Sequence, residues 1–127
     1  MSTWKPNGYT SASPCLTVTD ANATLEFLVQ TFGAEWLRCM TRPDGKIMHA
    51  EARIDDTVVM ISDATDGWPA VASHVHIYVP DVDATYQRAL KAVAVSGMVP
   101  IKKDDEDKRG GVRDHGGTTW WLATQVG

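Results

Sequence analysis

The sequence predicts an α+β domain made of two copies of one βαβββ unit arranged around a concave cavity. The first observation is an internal repeat, because the two halves match when the chain is shifted by 61 residues. The matched positions in the first strand and its cap are Leu16, Val18 and Asp20, which fall on Ile77, Val79 and Asp81. The second observation is that each half contains one segment with helical spacing among several segments of alternating apolar residues. A length of 127 residues is that of one domain, so we expect residues 1–127 to fold as a single unit.

The first half, about residues 9–63, is predicted to begin with a strand over residues 14–19. Asp20 can cap the helix that follows, and Gly33 provides its stop. Between them the apolar residues recur at helical spacing: Leu25, Leu28, Val29 and Phe32. Three further strands are predicted over 36–42, 47–54 and 57–62, separated by turns at Pro43-Asp44-Gly45 and Asp55-Asp56.

The second half, about residues 74–125, repeats this order after a joint at 64–73 that is rich in Gly, Pro, Ala and Asp. Its strands are predicted over 74–80, 95–101, 111–113 and 118–124. One face of its helix is predicted to carry the apolar residues Val82, Tyr86, Ala89, Leu90 and Val93. The charged run 102–109 has no aromatic residue, and we expect a solvated loop there, with a lid over the cavity as the alternative.

Composition excludes several classes of function. The formal net charge is −4 without a basic stripe, so nucleic acid is a poor partner. No segment reaches the roughly 20 apolar residues of a membrane span, and residues 1–8 lack the apolar core of a signal peptide. We therefore expect a cytoplasmic protein without a membrane partner, and we expect Cys15 and Cys39 to be reduced thiols in strands.

Two motifs connect this pattern to a known family. They are Asp44-Gly45-Lys46 with His49-Ala50-Glu51, and Val112-Arg113-Asp114 with Gly117-Thr118-Thr119-Trp120-Trp121-Leu122. With the paired βαβββ units, they resemble the vicinal-oxygen-chelate superfamily of glyoxalases, bleomycin-resistance proteins and dioxygenases, and its PhnB-like subgroup. The resemblance covers about residues 9–125 and implies a homodimer in which each cavity is built from both chains.

The resemblance also implies where a metal would be held. Metal-dependent relatives take one ligand from the first strand and one from the last strand of each half, and the matching positions here are Ser13, Met60, His74 and Trp121. Only His74 is a usual ligand for zinc or manganese, because serine is weak, methionine prefers soft metals and indole offers no lone pair. We therefore expect no standard metal site and no cofactor, while a divalent metal at a non-standard site stays open.

Polar residues that could carry chemistry alternate along two strands. His74, His76 and Tyr78 share the cavity side of one strand, and His49 and Glu51 share that of another. Together, His49, Glu51, His74 and His76 are candidates for a general acid–base pair or a shifted metal site. The interpretation we favour is a hydrogen-bonded lining of a cavity or of a dimer interface.

The cavity side also carries residues suited to an organic ligand. Met60 and Trp121 lie there and, with Trp36 or Trp68, could line a site for a flat molecule held by hydrogen bonds, or they could pack between subunits. The leading hypothesis is a sequestering protein of the bleomycin-resistance type that binds a small organic ligand. The first alternative is a metal-dependent lyase, isomerase or dioxygenase that uses His74 with His49 and Glu51. The second alternative is a cavity that serves mainly as a homodimer core.

Overall fold

The computed structural model describes residues 4–127 as two four-stranded sheets and two helices. The strands are β1 (Cys15–Val18), β2 (Glu35–Thr41), β3 (Ile47–Ile54), β4 (Thr57–Asp63), β5 (His74–Tyr78), β6 (Val95–Lys102), β7 (Asp107–Arg113) and β8 (Thr119–Gln125), and the helices are α1 (Ala21–Phe32) and α2 (Val82–Lys91). The sheet orders are β1-β4-β3-β2 and β5-β8-β7-β6, so the two halves have one topology. In each half the first strand is parallel to the last, and the other pairs are antiparallel. The predicted α+β fold of paired βαβββ units is confirmed.

The helices begin in the same way, as the repeat predicts. The carboxylates of Asp20 and Asp81 each accept a hydrogen bond of 3.1 Å from the backbone N–H three residues later. The α1 helix ends at Gly33, whose φ of +66° is left-handed. The α2 helix ends at Lys91, before Val93, which has a φ of +72° and is 82% exposed. The prediction that Val93 lies on the apolar helix face is therefore wrong, because the helix stops too early. Neither helix described here has the length and apolar character that a membrane crossing requires.

The two halves share one hydrophobic core at the inner faces of the sheets, which are the faces that meet the helices. The α1 helix contacts α2, and the Arg88 Nε donates a 3.1 Å hydrogen bond to the carbonyl of Thr31. Phe27 and Phe32 of α1 also pack against Trp120 of β8, with ring centroids 6.3 and 5.6 Å apart. The first helix therefore packs on the second sheet as well as on its own, and the outer faces of both sheets point away from this helix layer.

Trp120 is fully buried, and its indole N–H needs a partner inside the protein. The carboxylate of Asp114 accepts this N–H at 2.8 Å and the backbone N–H of Thr118 at 3.0 Å. Asp114 is itself buried, so these two donors replace the water that its carboxylate loses on folding. The turn before β8 is thereby attached to the core.

The charged run 102–109 is not a loop over its whole length. Lys102 ends β6 and Asp107 begins β7, so only residues 103–106 connect the two strands, and β7 is longer than the predicted 111–113. Asp107 is buried, and its carboxylate accepts hydrogen bonds from the hydroxyl of Tyr78 at 2.7 Å and from Nη2 of Arg109 at 3.0 Å. These two donors compensate the solvation that the carboxylate loses. Because Asp107 and Arg109 pair with each other, these charged residues can lie in a strand, although their composition predicted a solvated loop.

Replacement of Asp114 by alanine is expected to lower the free energy of unfolding by about 2–3 kcal/mol, because a buried indole N–H loses its acceptor. Asp44→Ala is the matched control, since Asp44 is exposed and accepts only the backbone N–H of Lys46 at 3.0 Å. Urea unfolding followed by circular dichroism measures both variants. Equal losses in the two variants would show that Asp114 does not anchor Trp120.

Candidate functional site

The outer faces of the two sheets carry the candidate site residues. In the first half, Cys15, Met60 and Glu51 lie side by side across β1, β4 and β3. In the second half, the corresponding row across β5, β8 and β7 is His76, Trp121 and Gly111. The two halves therefore share one backbone topology, but different residues lie on their outer faces.

Glu51 is a buried carboxylate in the first-half face, with 2% of the residue exposed. It accepts a short hydrogen bond from the Tyr9 hydroxyl at Oε1 and contacts His49 Nε2 through Oε2 at 2.7 Å. An ionised carboxylate can only accept, so the proton between them belongs to His49 Nε2. The pairing fixes the orientation of the half-buried imidazole.

The charge state of Glu51 follows from these partners. Burial opposes ionisation, but the hydrogen bonds from Tyr9 and His49 and the positive charge of Arg38 outweigh it, so the pKa of Glu51 lies below its usual value. The same hydrogen bond raises the pKa of Tyr9, because loss of the phenolic proton would place two negative charges together. At neutral pH the face therefore contains a carboxylate and a neutral phenol.

The N-terminal segment covers part of this face. The Arg53 Nη1 donates to the carbonyl of Gly8 at 3.0 Å, and the guanidinium of Arg38 lies 5.1 Å from the ring centroid of Tyr9. Gly8 has a φ of +82°, so the backbone favours glycine there, and a Cβ would come within 2.8 Å of Arg53 Nη1, the movable end of a side chain. Next to this segment is a pocket of about 240 Å³, which we call the first-half pocket; it is lined mainly by Trp4, Lys5, Tyr9, Arg38, Glu51 and Met60.

Trp121 forms an aromatic platform on the second-half face. A Cβ on Gly111 would lie only 2.7 Å from the indole Cε3 and Cζ3, so the absence of a side chain allows the ring to lie flat across β7. The ring of His74 lies nearly parallel to it, at 7°, with centroids 6.2 Å apart, and the indole N–H donates to His74 Nδ1 at 3.1 Å, so the two rings lie edge to edge. We call Trp121, His74 and Gly111 the Trp121 platform.

A second polar group lies beside the platform. The Arg109 Nε donates to His76 Nε2 at 3.2 Å, and the rings of His76 and Tyr78 lie 5.0 Å apart. The hydrogen bond to Asp107 raises the pKa of the Tyr78 phenol. Met98 of β6, together with Asp105, Asp107 and Arg109, lines a recess of about 330 Å³ here.

The predicted cluster of His49, Glu51, His74 and His76 is divided between the two sheets. His49 pairs with Glu51, whereas His74 contacts Trp121 and His76 contacts Arg109. Within residues 4–127 no hydrogen bond or ion pair joins the two groups, which lie on different sheets, and a shared role for the four residues stays a prediction. The alternation of each strand is right, but the sheets that carry the two pairs are different.

The predicted aromatic lining around Met60 is also different from the observed one. Trp36 pairs with Ala52 on β3, and cross-strand partners share a face, so Trp36 belongs to the inner side of the sheet at its edge. Trp68 lies in the connecting segment between β4 and β5 and is 74% exposed. Met60 instead faces Tyr9 and Arg38 in the first-half pocket, and Trp121 lies on the other sheet.

The four positions implied for a metal do not fit one in this chain. His74 uses Nδ1 to accept the N–H of Trp121, and that indole can only donate. The hydroxyl of Ser13 lies 3.2 Å from that of Thr10, and Met60 offers a thioether. In the part of the chain that the structure describes, no three His, Cys, Asp or Glu residues come together as a ligand group.

Tyr9 and Arg38 belong to the site but were not among the residues expected from the sequence. Tyr9 lies in an irregular segment without periodicity, and its contact with Glu51 spans 42 residues of sequence. The one available signal was the cavity-side position predicted for Glu51, because a carboxylate that lines a cavity needs hydrogen-bond donors.

Comparisons with known proteins agree with this architecture. The profile of the Glyoxalase/Bleomycin resistance protein/Dioxygenase superfamily matches residues 10–122. The chain is 35% identical over 130 residues to the uncharacterized protein Mb0911c of Mycobacterium bovis, covering 90% of this chain and 82% of that protein.

Solved structures show the same fold. TioX from Micromonospora sp. ML1 has a TM-score of 0.73 at 24% identity, over 90% of this chain and 99% of its own. FosX from Listeria monocytogenes, solved with Mn(II) and sulfate, has a TM-score of 0.70 at 16% identity, over 91% and 89% of the two chains. TnmS3, an antibiotic binding protein from Streptomyces sp. CB03234, has a TM-score of 0.68 at 18% identity, over 91% and 97%.

The low pKa of Glu51 predicts how stability changes with pH. A carboxyl group whose pKa is lowered by folding stabilises the protein above its unfolded-state pKa, and this contribution is lost as the pH falls through the folded-state pKa. In Glu51→Gln, we therefore expect stability to be lower at pH 7, by on the order of 1–3 kcal/mol, and to fall less steeply below about pH 4.

Urea unfolding at a series of pH values tests this expectation. Glu35→Gln is the control, because Glu35 is an exposed partner of Arg53 at 2.8 Å and its removal should leave the acid dependence intact. The same acid dependence in Glu51→Gln and in the unmodified protein would contradict the assignment of Glu51 as an ionised, buried group.

Proposed function

This chain belongs to the glyoxalase/bleomycin resistance protein/dioxygenase superfamily, and on this premise we propose that it binds a small, flat, partly aromatic molecule between two copies of the chain. The protein would sequester this ligand without a standard catalytic metal. The observation that carries the proposal is the Trp121 platform, where a partly exposed indole lies flat on a sheet above a glycine. The antibiotic binding protein TnmS3, which has the same fold, supports this class of function. Membership of the PhnB-like subgroup and a cytoplasmic location remain predictions.

The platform is suited to stacking because its geometry exists before a ligand arrives. The indole is held by β8 and by its hydrogen bond of 3.1 Å to the nearly parallel ring of His74. An aromatic ring placed on the open face gains about 0.5–1.5 kcal/mol beyond the area that it buries. Because the host side chain is already ordered, little conformational entropy is lost on binding.

The direction of the outer faces supports a site that is shared by two copies. Both faces point away from the helix layer, and the recesses on them measure about 240 and 330 Å³. Sites for drug-sized ligands usually occupy about 300–1,000 Å³, so the first-half recess is below this range and the second-half recess is at its lower end. We propose that the first-half face of one copy and the second-half face of another line one cavity. Such pairing would also cover exposed apolar residues on the edge strands β2 and β6: Met40, Val95, Val99 and Ile101.

A metal-dependent lyase, isomerase or dioxygenase is the second candidate. Its supporting observation is the His49–Glu51 pair, because a carboxylate that holds one imidazole nitrogen is the usual support of a metal-binding histidine. FosX of the same fold was solved with Mn(II). In a dimer of the proposed kind, His49 and Glu51 of one copy would face His74 of the other.

The Gly111→Ala variant tests the platform. The added Cβ would lie 2.7 Å from the indole, so Trp121 must move, and we expect aromatic ligands to bind about tenfold more weakly, a change of about 1.4 kcal/mol. Gly97→Ala in β6 is the control, because its Cβ would make only an ordinary contact of 3.5 Å. Tryptophan fluorescence titrations with a panel of aromatic compounds give the dissociation constants. If no compound perturbs the emission of the unmodified protein, the binding proposal fails.

The metal alternative has its own test. Calorimetric titration of the unmodified protein with Zn²⁺, Mn²⁺, Ni²⁺ and Fe²⁺ is expected to show no tight site, because no three His, Cys, Asp or Glu side chains come together within residues 4–127. The enzyme hypothesis predicts the opposite, namely about one tight metal per chain that is lost in His74→Ala. That result would replace the sequestering proposal by a metal site formed between copies.

A further inference from the structure

Two positive charges lie at the first-half pocket without an acidic partner. Lys5 and Arg38 both line the pocket, and among the described residues neither forms an ion pair. Lys5 Nζ donates only to the hydroxyl of Ser11, at 3.2 Å. The neighbouring Arg53, in contrast, is paired with Glu35 at 2.8 Å, so its charge is already compensated.

The carboxylate in the same pocket does not compensate these charges fully. Glu51 is buried, and each of its oxygens already contacts a donor, from Tyr9 and from His49. It influences Arg38 only through space, without a hydrogen bond between them within residues 4–127. The pocket therefore contains a buried carboxylate whose two oxygens each already accept a hydrogen bond, and two cations that no carboxylate pairs with among the described residues.

Each of the two cations lies near an aromatic ring. Lys5 Nζ lies 5.2 Å from the ring centroid of Trp4, and the Arg38 guanidinium lies 5.1 Å from that of Tyr9. Stacking on a ring leaves the N–H groups at the edge of a guanidinium free to donate, and their fork matches the oxygens of an acid group. Lys5 and Arg38 are therefore two cationic donors at one pocket, and together they could bind an anionic group.

We propose that the ligand is an aromatic acid, a carboxylate or sulfonate, whose anionic group binds between Lys5 and Arg38 of one copy while its ring stacks on the Trp121 platform of the other. This inference rests on the proposed function and adds the charge of the ligand to it. The acidic turn at residues 103–106 of a second copy is the competing source of an anion, since it contains Asp104, Asp105 and Glu106.

A pair of probes with one aromatic skeleton separates charge from stacking. Anilinonaphthalene sulfonate carries the anion, and phenylnaphthylamine has the same rings without it; both gain fluorescence when they bind. We expect the sulfonate to bind the unmodified protein more tightly and Arg38→Gln to weaken it about tenfold, leaving the uncharged probe within about twofold. Lys91→Gln, an equal change of charge at the exposed end of α2, should leave both affinities unchanged. Trp121→Ala should weaken both probes.

Mixed dimers then test whether one site uses both copies. Co-expression of Arg38→Gln and Trp121→Ala chains with different tags gives a dimer in which one of two shared sites contains both changes and the other contains neither. We expect one sulfonate per mixed dimer at the unmodified affinity, with sedimentation equilibrium confirming two chains. No intact site in the mixed dimer would overturn the shared site.

The remaining outcomes distinguish this inference from the proposed function. If both probes bind equally and Arg38→Gln changes neither, the aromatic acid is excluded while the binding function stands. If Arg38→Gln instead weakens the dimer in sedimentation, Arg38 binds the acidic turn of the second copy and not a ligand, and the inference fails. If neither probe binds the unmodified protein, the binding function and this inference fail together.

Discussion

The burial of Trp120 is the constraint on which the rest of the structure depends. Its ring lies inside the shared core, against Phe27 and Phe32 of the other half, and its N–H is held by Asp114. This single side chain therefore connects β8 to α1. Because successive residues of a strand point to opposite faces, a buried Trp120 forces Trp121 onto the outer face. The aromatic platform is thus a direct geometric consequence of the core anchor.

The first half follows the same rule with different chemistry. Val59 and Ile61 pack inward, so Met60 faces outward, and the inward Ala50 and Ala52 place Glu51 on the outer face between them. Glu51 nevertheless becomes buried, because the N-terminal segment covers it and Tyr9 closes over its carboxylate. A charge so removed from water requires hydrogen bonds that compensate the lost solvation, and Tyr9 and His49 provide them. The N-terminal segment, and not the hydrophobic core, therefore buries Glu51.

Sequence reasoning was most successful where structure is determined locally. The helix caps at Asp20 and Asp81 and the stop at Gly33 depend on neighbouring residues, and they were found. It failed where the position of a residue depends on long-range contacts. Tyr9 binds a residue that is 42 positions away, and the buried carboxylate of Asp107 accepts hydrogen bonds from Tyr78 and Arg109. The alternation of inner and outer residues in β4 and β8 was predicted correctly. How the two sheets are arranged depends on packing, which periodicity does not contain.

The contrast between inner and outer faces explains how one repeated frame can hold two chemistries. Inner positions related by the repeat stay apolar, as in Ile61 and Leu122, because both must fill the same core. Outer positions are free to differ, and Met60 and Trp121 do differ. In a symmetric dimer, contact between two first halves would bring Lys5 and Arg38 of both copies together, with repulsion between four cations. The proposed pairing of a first half with a second half would avoid this repulsion, and it would give two equal sites that each combine the cations of one copy with the Trp121 platform of the other.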